Sequence, residues 1–207
     1  MAYRDFDLRS ARERFALTLD ETRHLFTQVP TVCPSAWLTD FLAEWAPIAQ
    51  AHNTEKARSE MIIAPILMEV VRASHRQLNL FSGPTFSVDR SLGLDGSCNY
   101  LLTRSPEQYF VDRPVMAVIE AKREDVVTGL GQCLAALVGV QRFNGDAVTL
   151  PYVLGAVTTG SVWRFVMLTG THASIDRTEY YLPQVDKILG IFLQLATVSV
   201  SQPSLQP

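Results

Sequence analysis

Val115-Met116-Ala117-Val118-Ile119-Glu120-Ala121-Lys122-Arg123-Glu124-Asp125 carries an apolar run that turns abruptly polar. A run dominated by Val and Ile follows Pro114 and passes straight into Glu-Ala-Lys. The run is too short for an ordinary helix, so it reads as a buried strand that emerges at the edge of a sheet. Residues two apart in a strand share a face. Glu120 and Lys122 therefore stand side by side, and Ala121 points the other way. Such a pair has two readings. One is an ion pair at a strand end, which contributes little stability. The other is a catalytic edge, where a carboxylate holds a metal and a lysine acts on the substrate. The stretch alone leaves both open.

Downstream, an apolar stripe (Val126, Val127, Leu130, Leu134, Leu137, Val138) predicts a helix over 125–143. Gln132 lies on a second side made of small residues, which lets a helix lie close on a sheet. Asn144-Gly145 is a helix stop. Strands are expected over 152–158 and 162–168, joined by Thr159-Gly160-Ser161 as a hairpin, and a last helix over 183–197. Upstream, even spacing of Phe86, Val88, Leu92, Leu94, Cys98, Tyr100 and Leu102 predicts antiparallel strands, with Asp95-Gly96 at or near the start of one. Before them come helices over 6–26, from an N-cap at Ser35 to 51, and from Asn53 or Thr54 to 72. Pro65 should kink or break the third. Trp37, Phe41, Leu42 and Trp45 fall on one side of the second and are expected in the core.

The element order is helices, then β-β-β-α-β-β, then a helix. It predicts an α/β (α+β) fold, a central mixed sheet flanked by helices. The expected organisation is an N-terminal helical extension (1–52), a core (53–198) and a disordered tail (199–207) rich in Ser, Gln and Pro.

Composition narrows the function classes. The chain has 207 residues, 47% hydrophobic and 19% charged, with a net charge of −3. That describes a globular domain with room for a core, and not a wholly basic nucleic-acid binder. The three cysteines (Cys33, Cys98, Cys133) have neither a disulfide-framework nor a zinc spacing. With no signal-peptide pattern, a cytoplasmic location is expected. No apolar run is long enough to span a membrane. The four histidines lack ligand spacing. Gly129-Leu130-Gly131 lacks the third glycine of a dinucleotide loop.

Glu60 on a helix, Asp95 near a strand start, and Glu120 and Lys122 at a strand end supply the parts for phosphodiester hydrolysis, with Gln132 on the following helix. Mg2+, or Mn2+ in its place, takes oxygen ligands and retains water. Asp95, Glu120 and the backbone carbonyl of Ala121 would suit it. Lysine can orient the attacking water or stabilise the negative charge that develops. Asp89 is a rival for the aspartate role, and Asp95 itself is also readable as a turn residue next to glycine.

Leu94-Asp95, Glu120-Ala121-Lys122 and Gln132, with Ser59-Glu60-Met61 on an upstream helix, together resemble the PD-(D/E)XK nuclease superfamily. The likeness spans about Glu55 to Leu168, although leucine stands where that motif has proline. It implies a restriction-endonuclease-like core, with Asp95 and Glu120 as metal ligands, Lys122 as catalytic lysine, and Glu60 and Gln132 in support. It also implies nucleic acid, DNA first, as the partner. The alternative is an inactive nuclease-like fold that binds nucleic acid or protein. A homodimer through apolar residues of the N-terminal helices stays open.

Overall fold

In the computed structural model, residues 2–148 and 150–200 are described. Among them, seven strands form one mixed sheet in the order β1-β7-β6-β5-β4-β3-β2. The strands are β1 (Thr18–Asp20), β2 (Asn79–Ser82), β3 (Tyr100–Thr103), β4 (Val115–Ala121), β5 (Val153–Thr158), β6 (Val162–Thr169) and β7 (His172–Tyr181). β4 pairs with β5 in parallel and β1 with β7 in parallel, while the other neighbours are antiparallel. Every residue of β4 is buried, as its near-continuous apolar sequence requires for a strand covered on both faces.

Helices cover the two faces of the sheet. On one lie α1 (Leu8–Arg14) and α5 (Leu130–Asn144), packed with Val118, Val153 and Val157. On the other lie α2 (Ala36–His52), α3 (Glu55–Arg58), α4 (Ala64–Ala73) and α6 (Val185–Thr197), packed with Ala117, Ile119 and Ala121. The alternation in β4 thus sorts Ala121 and Glu120 to opposite faces, as expected from its period. Ser35 caps α2, its side chain accepting from Leu38 N–H, and Thr54 caps α3, accepting from Ala57 N–H. Between α3 and α4 the chain makes a π-helical turn, Ser59–Ile63, and Pro65 sits in the first turn of α4. The backbone stays helical through Arg58, Ile63 and Ala64, so the chain is not broken at Pro65, and the irregularity expected there is the π-helical turn just before it. Among the described residues no helix is long and apolar enough to cross a membrane.

Four sequence expectations differ from the structure. The helix expected over 6–26 is short: α1 ends at Arg14, and Thr18–Asp20 leaves it to pair with β7. Ala16 takes a positive φ at that exit. Strand β7 had no counterpart in the expected order. Its sequence, His-Ala-Ser-Ile-Asp-Arg-Thr-Glu-Tyr-Tyr, carries polar residues on both faces, and the buried Asp176 is satisfied by Leu25 N–H, Thr178 N–H and the Tyr180 hydroxyl. The segment from Gly83 to Asn99 holds isolated bridges, Thr85 to Ser97 and Asp89 to Leu94, in place of regular strands. Along a half-exposed flank of α2, Trp37 meets Phe41 at a tilt and Phe41 stacks on Trp45, whereas Leu38, Ala46 and Ala49 form its buried stripe. Of the tail expected to be disordered, 201–207 lies outside the described residues.

The N-terminal segment lies against α5 at very short range. A Cβ on Gly131 would stand 2.1 Å from the Asp7 carbonyl carbon. Alanine is worth about 1 kcal/mol over glycine inside a helix. Overpacking costs about 1–3 kcal/mol, and here the obstacle is backbone, which no rotamer change relieves. Gly131→Ala is therefore expected to lower the urea midpoint with an unchanged slope. An unchanged or raised midpoint would contradict the close approach.

Candidate functional site

Glu120 is the penultimate residue of β4, and its side chain points beneath the first turns of α5. It has no exposed surface. Gln132 joins it to Lys122: the Gln132 amide Nε2 donates to Glu120 Oε2 at 2.7 Å, and Lys122 Nζ donates to Gln132 Oε1 at 2.7 Å. One amide thus orients a carboxylate with its N–H end and an ammonium with its carbonyl end, the only polarity that satisfies both. Lys122 leaves the sheet just after β4, where its N–H donates to Thr158 O at 2.8 Å. Its stem passes Gly129, where a Cβ would lie 2.9 Å from Lys122 Cε. Glycine at 129 leaves room for the lysine, which explains half of the Gly129-Leu130-Gly131 pattern by packing; the close approach of Asp7 to Gly131 explains the rest.

Across the sheet, Asn99 precedes β3 and accepts from Ala121 N–H through Oδ1 at 3.1 Å. The other oxygen of Glu120, Oε1, is buried and makes no hydrogen bond of good geometry, although the Asn99 backbone N–H acts on the carboxyl. Burial pushes the Glu120 carboxyl up to about 8, against the opposing pull of the Lys122 ammonium and the Asn99 N–H, and Glu55 pushes it in the same direction as burial. Burial also raises the thiols of Cys98 and Cys133 beside it. Above this group opens a cavity of about 500 Å³ lined by Ala2, Tyr3, Arg4, Glu55, Gly96, Ser97, Asn99, Lys122 and Gln132.

The structure brings together three of the residues expected from sequence: Glu120, Lys122 and Gln132. Ala121 stands between the first two with its side chain in the opposite core, as expected. Asp95 is placed differently. It lies in the irregular segment before β3, bonds to the Ser87 hydroxyl, and has Arg90 Nε at 3.5 Å. Those partners hold its carboxyl below the usual range, Ser87 first. Asp89, its rival, caps the Arg90–Leu92 turn and lies 3.7 Å from Arg142. Glu60 pairs with Lys56 at 2.7 Å and borders a neighbouring cavity. Glu55 borders both cavities, and its charge acts on the Glu120 carboxyl.

Sequence reading missed Asn99, Glu55 and Arg4. Asn99 is marked only by its position before Tyr100-Leu101-Leu102-Thr103. The pairing of Tyr100 with Ile119 then sets it beside Ala121. Glu55 carries the signal of a first-turn acid after a Thr cap.

The donor set fits a hard cation of the Mg2+ type. Among the described residues no three His, Cys, Asp or Glu side chains converge. Mg2+, however, commonly uses one or two carboxylates and completes its shell with water and phosphate. Glu120 Oε1 is a buried oxygen of the right kind, and Glu55 and the Asn99 amide are oxygen donors at the cavity above it. No protein-family model matches this chain, and no curated protein matches it.

The raised carboxyl sets a pH dependence. Between the usual 4.5 and about 8, the folded state holds a proton on Glu120 that the unfolded state has lost. Stability therefore falls as pH rises through that window. In cation-free buffer the wild-type urea midpoint is expected to drop from pH 5 to pH 8.5 more steeply than that of Glu120→Gln. Parallel profiles would remove Glu120 as the cause.

Proposed function

We propose that this chain is a divalent-cation-dependent nuclease of the PD-(D/E)XK type, with a restriction-endonuclease-like core, that acts on DNA with Mg2+ or Mn2+. A cytoplasmic location belongs to the same reading and accords with three free cysteines. The observation that carries it is the Glu120–Gln132–Lys122 chain of contacts, which ends on a buried carboxylate oxygen that makes no hydrogen bond of good geometry. A bound cation supplies Lewis-acid stabilisation of the phosphoryl oxygens. Glu120, in its anionic form, and Glu55 would hold it, with the carbonyl oxygens of Ala121 and the Asn99 side chain as further donors. Lys122 presents its ammonium at the cavity, where it orients the attacking water and stabilises charge on the phosphoryl group. Gln132 keeps that ammonium and the carboxylate in fixed relation. Water adds to phosphorus and gives up a proton to solvent, the bridging P–O bond breaks, and the leaving oxygen takes a proton from solvent.

A specific observation favours a second reading, that of a nuclease-like binding module. The residue beside Ala121 is the neutral Asn99, and Asp95 is held elsewhere by Ser87 and Arg90. A site with one buried carboxylate has less charge with which to hold a cation.

Cleavage of supercoiled plasmid and labelled duplex with Mg2+ or Mn2+ separates the two. On the nuclease reading, Lys122→Ala and Glu120→Gln each lower the rate by about 10²–10³, while Asp95→Asn and Glu60→Gln change it little. An inert wild type, or a Lys122→Ala variant as fast as wild type, defeats it. The binding-module reading is supported if wild type retains DNA without cutting it and Asn99→Asp gains cleavage.

A further inference from the structure

We propose that Arg4 is a phosphate contact of the cavity above Glu120, taking a backbone phosphate of the bound nucleic acid beside the one presented to Lys122. The inference rests on the nucleic-acid reading above and extends it to a residue far from the motif.

Three observations carry it. First, Arg4 lines the same cavity as Lys122, Gln132, Asn99 and Glu55. Of the residues lining it, Arg4 and Lys122 are the basic ones, and the Lys122 ammonium is already oriented by Gln132. A polyanion drawn toward Glu55 and the buried Glu120 needs positive charge at the rim.

Second, the backbone that carries Arg4 is fixed. Tyr3 is buried, its N–H donates to Asp95 O at 3.0 Å, and its ring stacks on Phe86 at 6.4 Å. Asp5 closes the 3-10 turn Tyr3–Asp5 by accepting from Ala2 N–H at 2.7 Å. Asp7 then caps α1 and lies directly on Gly131. Such anchoring lowers the ordering cost of a contact made by the next side chain. Asp95, by this account, serves the site through its backbone carbonyl.

Third, the guanidinium is presented to solvent. The Arg4 side chain is 85% exposed, and its ion pair with Asp5 is long, 3.9 Å from Nε to Oδ1. A planar fork of donors so placed is suited to bidentate contact with phosphate.

The test is fluorescence anisotropy of a labelled DNA duplex in Ca2+ over a series of salt concentrations, alongside cleavage by wild type in Mg2+. Arg4→Gln is expected to weaken binding about tenfold in low salt and to reduce the slope of log K against log salt by about 0.9. Arg4→Lys is expected to keep the slope, and the urea midpoint of both variants to stay at the wild-type value. Arg4→Gln with wild-type affinity and slope overturns the proposal while leaving the nuclease reading intact. Loss of binding in Arg4→Gln with no cleavage by wild type upholds Arg4 and defeats the hydrolytic reading. A wild type that does not bind DNA defeats both.

Discussion

A carboxyl group with no exposed surface must be held by its neighbours, and at Glu120 the holder is one amide. Gln132 reaches Glu120 only because α5 lies close on β4 and β5. That closeness depends on glycines at the contact: Gly155 of β5 admits Cys133 and Leu137, and Gly129 admits Val157, while Gly131 and Gly139 of α5 instead admit Asp7 and Tyr3 of the N-terminal segment. The amide fixes one carboxylate oxygen and leaves the other without a hydrogen bond of good geometry, at a cost on the order of 1–3 kcal/mol for a buried polar group. Such an oxygen under a cavity is the kind of local inconsistency that structural stability does not explain and that a ligand would resolve. The same amide points its carbonyl at Lys122, so the position of the lysine and the state of the carboxylate are linked through one side chain.

The sequence made the centre of this arrangement legible and left its margins obscure. Val115 to Ile119 declared a strand buried on both faces, and period two then put Glu120 and Lys122 together on one of them. Gln132 was found because its neighbours Ala135, Ala136 and Gly139 marked the close-packed side of a helix. Asp95 was placed at a strand start for a physical reason: Asp-Gly after an apolar alternation fits either a strand start or a turn, and here an irregular segment uses those residues. Asn99 could not be ranked above any other amide before the pairing of β3 with β4 set its side chain against Ala121 N–H. Strand β7 escaped because its polar residues lie on both faces and because two of its supports, the Leu25 N–H on buried Asp176 and the two flanking strands, are distant in sequence.

The N-terminal segment shows the same principle on a larger scale. The helix expected over 6–26 is cut short at Arg14 because the N-terminal segment does three jobs in turn. Tyr3 fills a pocket between Phe86 and α5, α1 lies across α5, and Thr18 to Asp20 adds a strand to the sheet. Each job asks for a different residue pattern, and their superposition reads as a poor long helix.

Pairing of β1 with β7 has a consequence for the order in which the molecule is assembled. Thr18 meets His172, so the earliest strand of the chain finds its partner only after nearly all the others exist. Closing a loop of that length costs entropy that local contacts cannot repay. Residues 2–4 are fastened without β7: Tyr3 N–H donates to Asp95 O, its ring lies on Phe86, and Asp7 lies on Gly131. The cavity rim and the Glu120–Gln132–Lys122 core can therefore form together, and the far edge of the sheet closes after them.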